Sequence, residues 1–192
     1  MSPRERRLIR RLKQRDERAF REMVLTYQQQ VYSIVLRMLG NEQEAEDLAQ
    51  EVFVTVFKSI ENFRGDSKLG TWIYRIAINH CRNRFKYLSR RHYHTTKPLD
   101  DVREREQRQE IPLHGQMGRP DEVLEGRRLQ QAIQAAIAAL ESDHREVLVL
   151  RDIQGVSYEE IGSITGLPPG TVKSRLHRAR MALKEQLEKH MK

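Results

Sequence analysis

The stretch FRGDSKLGTWIYRIAINHCRNRFKYLSRR, Phe63 to Arg91, decides how this chain is read. Leu69, Trp72, Ile73, Ile76, Ala77, Cys81, Phe85 and Leu88 recur at three- and four-residue spacing, which predicts a helix with one apolar stripe. Arg64, Lys68, Arg75, Arg82, Arg84, Lys86, Arg90 and Arg91 stand against a lone acid, Asp66, so the rest of that helix is basic. Phe63, Trp72, Tyr74, Phe85 and Tyr87 are more rings than a narrow stripe can bury. Rings set among arginines suit an unpaired nucleic-acid strand, because bases stack on aromatic faces while guanidinium groups hold phosphates. The same residues suit a core helix with a solvated basic side, and the segment alone leaves both readings open.

Upstream of it, Phe20, Met23, Val24, Tyr27, Val31, Ile34, Val35 and Met38 predict a core helix that stops at Gly40. Asn41 then offers a cap, with Glu44 three residues on, to a helix turning Ala45, Leu48, Ala49, Val52, Phe53, Val56, Phe57 and Ile60 inward. The outer side of that helix is acidic, carrying Glu42, Glu44, Glu46, Asp47 and Glu51 together with Gln50. Acids near a helix N-terminus are favoured by the macrodipole; beside a basic helix they also suit a protein partner. The residues up to Arg18 read as a basic arm with a short amphipathic turn or two, its order left open, and no chemistry is assigned to it.

Downstream, apolar periodicity stops after Arg91 and prolines and glycines appear among charged residues, as in a linker that buries nothing. Helices resume near Val123, with Leu129, Ile133, Ile137 and Leu140 on one stripe. Asp143 is placed to cap the next helix with Glu146 as its partner, and Gly155 to close it. Ser157 and Glu160 form a capping-box pattern for a short helix stopped by Gly166, and Pro168 and Pro169 open a last helix. Strand signals of alternating apolar residues are absent. The expected fold is all-α: two small helical domains joined by a flexible linker, with a helix-turn-helix in the second. The boundaries are an arm at 1–18, a first domain at 19–95, a linker at 96–122 and a second domain at 123–192.

The 192 residues carry a net charge of +8, which favours a polyanionic partner through counterion release. No apolar run is long enough to span a bilayer and the N-terminus lacks a signal-peptide core, so the expected location is the cytoplasm. A single cysteine, Cys81, excludes paired-cysteine sites and reads as a small core residue. The histidines form no close cluster with carboxylates at metal-ligand spacing, and there is no phosphate-binding loop or nucleophile elbow. No enzymatic activity, metal, cofactor or small-molecule substrate is expected.

Around Gly166 two helices meet at a tight turn, and the second displays Lys173, Arg175, His177, Arg178, Arg180 and Lys184 before its first acid, Glu185. Solvated helices usually alternate charge, whereas a one-signed helix after such a turn suits the DNA major groove. Thr171, Lys173, Ser174 and Arg175 stand where base contact is expected, with Arg178 next and His177 at the groove edge.

Three segments in this order resemble the extracytoplasmic-function sigma factors, two-domain RNA polymerase subunits of the sigma-70 family. EAEDLAQEVF, Glu44 to Phe53, resembles the family's polymerase-binding segment. FRGDSKLGTWIYRIAINHCRNR resembles its minus-ten segments, and VSYEEIGSITGLPPGTVKSRLHRARMALK its minus-thirty-five segment. The resemblance implies that Asp47, Gln50 and Glu51 face the polymerase core. It further implies that Phe63, Trp72, Tyr74, Arg75, Asn79, Arg82 and Asn83 serve the minus-ten element, with Asn79 and the turn after it holding a flipped base. Thr171, Lys173, Ser174, Arg175, His177 and Arg178 would serve the minus-thirty-five element. The implied partners are bacterial RNA polymerase core, promoter DNA and an anti-sigma factor, the last able to hold the chain at the membrane. The alternative is a free-standing helix-turn-helix regulator whose first domain is an interaction module.

Overall fold

Four helices build each of two domains in this computed structural model, which describes residues 1–94 and 120–190. Helix α1, Pro3–Lys13, starts where the Ser2 side chain accepts the Glu5 N–H and Pro3 takes the first helical position. Ile9 and Leu12 are buried. Tertiary contacts thus order the basic arm, a point its short apolar pattern leaves open. Arg11 reaches Asp16 at 2.9 Å and Glu22 at 3.2 Å, and Asp16 in turn accepts the Arg18 and Ala19 N–H groups that open α2, Glu17–Leu39. That guanidinium, followed by the Ala19 N–H, holds the Asp16 carboxyl below its ordinary range.

Helix α2 ends at Gly40, whose φ of 79° is the left-handed conformation that a residue without a Cβ adopts freely. Asn41 caps α3, Glu42–Ser59, by accepting the Glu44 N–H at 2.9 Å. A single 3₁₀ turn, Ile60–Asn62, and an irregular segment over 63–68 lead into α4, Leu69–His94. Leu69, Ile73, Ala77 and Cys81 are buried along α4, as its apolar spacing requires. Phe57 is a correction: it is 46% exposed, its ring against Phe20 at 4.6 Å and beneath the Arg15 guanidinium. Phe57 follows the buried Val56 by one residue, about 100° of helix rotation, and Arg15 covers what the core does not.

In the second domain α5, Pro120–Ala138, begins three residues before the expected boundary. Ile137 and Leu140 are buried, whereas Leu129, expected on the same stripe, is 56% exposed. Helix α6, Ser142–Leu148, has Glu141 and not Asp143 at its N-cap position, with no side-chain capping bond, and runs on through a π-helical turn, Val149–Ile153. Asp143 and Glu146 are therefore not a capping pair; both turn to arginines elsewhere in the fold. Ser157 and Glu160 close both halves of the capping box on α7, Tyr158–Thr165. Gly166 and Pro169 then turn the chain into α8, Pro169–His190. A Cβ at Gly162 would meet the Leu167 carbonyl at 2.9 Å, so the turn between α7 and α8 passes too close for any other residue.

The two domains pack on one another, α4 against α7 and α2 against α5 and α6, and their buried apolar residues form one cluster. Arg145 donates across the boundary to the Met38 carbonyl of α2, and Arg37 donates to Gln134 of α5 at 2.8 Å. Most of the expected linker, up to residue 119, lies outside the described residues.

Candidate nucleic-acid and protein interfaces

Three polar surfaces carry the residues singled out from the sequence. On α3, Asp47, Gln50 and Glu51 are all exposed, and with Val54, Thr55, His80 and Arg84 they line an open concavity of about 530 Å³. Glu51 lies 3.5 Å from Arg84 and 3.7 Å from His80, and the His80 ring shares a hydrogen bond with the Thr55 hydroxyl at 2.9 Å. Val54, half-exposed among these polar groups, offers an apolar point of contact that the sequence reading left out. Its place between two inward positions was the available signal.

The residues expected at the minus-ten element do not share one continuous surface. Phe63 is 3% exposed, packed on Trp72 with ring centroids 5.1 Å apart, and Tyr74 is half-buried with its edge to Tyr27. Arg75, Asn79 and Arg82 follow one another at four- and three-residue spacing and so lie on one face of α4. Asn83 is exposed on a different side, in a concavity shared with Glu51, His80, Arg84 and Tyr87. Asn79 is exposed within an uninterrupted helix, so no turn follows it; the irregular segment is at 63–68, before α4 begins. The apolar stripe of α4 continues through Ala77, Ile78 and Cys81, and nothing there breaks its backbone ladder.

The face of α4 bearing Arg75 and Arg82 meets the second domain. Arg82 donates two bonds to the Glu146 carboxylate, at 2.6 and 2.9 Å, and Arg75 donates to the Ser163 hydroxyl at 2.8 Å. Lys68 lies 3.0 Å from Glu160, which also accepts from the buried Thr71 hydroxyl at 3.2 Å. Burial pushes the Glu146 carboxyl above its ordinary range against the pull of Arg82. Against the upward push of burial, Lys68 and the Ser157 cap hold Glu160 below its own range. From α1, Glu5 accepts the Leu69 N–H at 2.7 Å, placing a negative charge at the positive end of α4. None of these acids was singled out for contact with α4, because partners 64 or more positions apart leave no periodic trace.

Helix α8 presents the third surface. Val172, Leu176 and Ala179 are buried, which leaves Lys173, Ser174, His177 and Arg178 exposed and Thr171 and Arg175 partly so. Arg175 is held by Asp143 at 2.8 Å, and Arg180 donates two bonds to Asp152 at 2.6 and 2.9 Å. Lys173 and Arg151 both approach the Tyr158 ring, at 5.8 and 4.8 Å from its centroid, which ties α8 to the start of α7. The expected base-contact residues thus stand together on one rigid helix. Cys81 has no part in any of these surfaces: it is fully buried and its thiol is pushed up to about 12 by burial. Among the described residues no helix is long and apolar enough to cross a membrane.

The family described as Sigma-70 region 2 matches residues 23–91, and that described as Sigma-70, region 4, matches residues 130–183. The RNA polymerase sigma-H factor of Pseudomonas aeruginosa is 34% identical, over 94% of this chain and 92% of its own length. The ECF RNA polymerase sigma factor SigW of Bacillus subtilis is 36% identical, over 93% of this chain and 94% of its own. Among solved structures, the sigma factor RpoE of Bartonella quintana, in complex with the anti-sigma factor NepR, shares the fold with a TM-score of 0.69. It is 24% identical and the match covers 88% of this chain and 96% of that one.

Proposed function

The chain belongs to the sigma-70 family of RNA polymerase sigma factors, in its extracytoplasmic-function branch, and from that premise we propose how its surfaces divide the work of promoter-specific initiation. Asp47, Gln50 and Glu51 dock on the polymerase core, with Val54 adding an apolar contact. A basic protein surface satisfies the acids on the outer side of α3 where DNA would repel them.

The first domain serves the minus-ten element. Asn79 is the polar, exposed residue between two cationic positions on α4, and it reads an unpaired base. Extruding a base costs a few kcal/mol, so the pocket and its stacking partners must offset that cost. Arg75 and Arg82 hold phosphates, Trp72 and Tyr74 support the melted strand, and Phe63 acts from beneath by fixing the Trp72 ring. Asn83, on another side of α4, contacts the same strand only where it bends around the helix.

In the second domain Thr171, Lys173, Ser174, Arg175, His177 and Arg178 serve the minus-thirty-five element. Asp143 orients the Arg175 fork much as a partner in the groove would, so the side chain meets DNA with little ordering left to do. The domains divide at about 1–95 and 120–192, and the segment between them sets how far apart they reach. The chain performs no chemistry of its own, works in the cytoplasm beside polymerase, and is held in check by an anti-sigma factor.

The observation that carries this reading is that one chain holds an exposed acidic face on α3 and, after a tight turn, a helix whose charged residues are all basic up to Lys184. In vitro transcription with purified bacterial core on a genomic fragment library, with starts mapped by sequencing, tests it. Discrete starts sharing two upstream elements are expected. Specific DNA binding by the chain alone, with no stimulated initiation from a core active with another sigma factor, would instead make it a free-standing regulator.

A further inference from the structure

We propose that the outer side of α1, carrying Arg6, Arg7, Arg10 and Lys13, is a further DNA site that holds phosphates of the strand bordering the minus-ten element. The inference rests on the sigma-factor reading above, in which the basic arm has no task of its own.

Helix α1 sets Arg4, Arg6, Arg7, Arg10, Arg11 and Lys13 against one acid, Glu5. The groups on its inner side are all engaged. Ile9 and Leu12 are buried, Glu5 accepts the Leu69 N–H, and Arg4 and Arg11 lie 3.6 and 3.2 Å from Glu22. Arg6, Arg10 and Lys13 follow one another at four- and three-residue spacing on the solvent side, with Arg7 beside them. All four are exposed, and none makes an ion pair among the described residues.

Helix stability does not account for this row. Arg6 stands at the end of the first turn, where the helix dipole favours acids, and Arg6 with Arg10, and Arg10 with Lys13, are like-charge neighbours that weaken a helix. A bound polyanion removes that repulsion. At 1.5 Å per residue Arg6 and Lys13 lie about 10 Å apart along the axis, the length over which one DNA strand presents roughly three phosphates.

Two contacts set the row beside the surface proposed for the minus-ten element. Glu5 joins α1 to the first residue of α4, and a Cβ on Gly65 would meet the Met1 side chain at 3.7 Å. Arg64, in the same 63–68 segment, is exposed and also makes no ion pair among the described residues. A strand that reaches α4 therefore meets further cations as it passes the start of that helix. This continuity favours DNA over an acidic protein or an anionic lipid, which the charge of the row alone would accept.

Holoenzyme assembled from core and the full chain, bound to labelled promoter fragments from the mapped starts over a range of salt concentrations, tests the site. Arg6→Gln, Arg7→Gln, Arg10→Gln and Lys13→Gln together should reduce the slope of log affinity against log salt by at least about 1.4, the share of two phosphates on a single strand. At fixed salt the variant should bind at least about tenfold more weakly, by the same factor on promoters of different minus-ten sequence, because phosphates carry no sequence information. Affinity of the chain for core should not change. Arg10→Cys carrying a photoactivatable aryl azide should crosslink to promoter DNA next to the minus-ten element; Cys81 is buried and stays unlabelled.

A smaller change in slope, a loss confined to one promoter sequence, or an equal loss of affinity for core would overturn the proposal. Crosslinks to polymerase alone would do the same. Retention on anionic phospholipid vesicles by the parent and not the variant, with the slope unchanged, would assign the row to a membrane instead. Should the quadruple variant lose its helical circular dichroism, the crosslink decides. Absence of mapped starts would overturn the sigma reading and this site together, whereas mapped starts with an unchanged slope overturn the site alone.

Discussion

The two basic helices, α4 and α8, treat their arginines in opposite ways. Helix α4 sends Arg75 and Arg82 across a domain boundary, to Ser163 and Glu146, whereas α8 keeps Arg175 and Arg180 on Asp143 and Asp152 of its own domain. A pair made within a domain survives any movement of the domains; one made between them does not. The environment of α4 therefore depends on the arrangement of the chain, while α8 keeps Lys173, Ser174, His177 and Arg178 exposed throughout. In the proposed reading, the surface for the upstream element is held within one domain, whereas that for the downstream element is shared with the other.

The largest effect that sharpens this contrast is at Cys81, which lies on the inner side of α4 and has no counterpart on α8. Its thiol is pushed from 9.0 to about 12, so near neutral pH its thiolate fraction falls about a thousandfold and its reaction with a disulfide reagent slows in proportion. A native-state rate within tenfold of a free thiol would break the picture of a sealed α4. Next, Asn79→Ala is expected to reduce open-complex formation by roughly a hundredfold while sparing closed-duplex binding, the flipped base having lost its partner. Equal losses in both assays count against that role.

Arg175→Ala should lower transcription about tenfold from promoters that depend on the upstream element, the scale of one good base contact. Unchanged output there would move base reading elsewhere on α8. Ser157→Ala removes one half of the α7 capping box and should cost about 1 kcal/mol in chemical denaturation. Because α7 supports both α8 and the contact with α4, its loss tests whether the two helices share a foundation. The smallest effect concerns pH. Burial holds the Glu146 carboxyl above its ordinary value, so its contribution to stability is complete below that ordinary value and is lost as pH rises through the raised one. Glu146→Gln should flatten the fall in the chain's stability as pH rises above the ordinary carboxylate value. A profile unchanged by the substitution would show that the carboxyl is not buried against α4.

Local pattern made α2, α3, α7 and α8 legible in the sequence, because each is announced by three-and-four spacing between identifiable caps: Gly40, Asn41, Ser157, Gly166 and Pro169 all stand where those helices begin or end. The acidic outer face of α3 and the polar side of α8 were legible for the same reason. What escaped was decided by distant partners. The order of helix α1 stayed open because the groups that fix it, Asp16, Glu22 and the Leu69 N–H, lie outside it. Glu146 fitted a local cap three residues after Asp143, yet Arg82 lies 64 positions away. Phe63 looked free to stack because its neighbour Trp72 takes the other half of a ring pair that spacing alone does not reveal. The side chains of α4 were identified correctly as cationic and aromatic, while the direction each one faces is a property of the packed chain.

The division of labour between α4 and α8 is tested most directly by permanganate probing of a mapped promoter in complex with polymerase and either Asn79→Ala or Arg175→Ala. The account predicts that Asn79→Ala abolishes reactivity of the thymines around the downstream element while upstream protection persists, and that Arg175→Ala weakens upstream protection first. Loss of both signals to the same degree in both variants would contradict it.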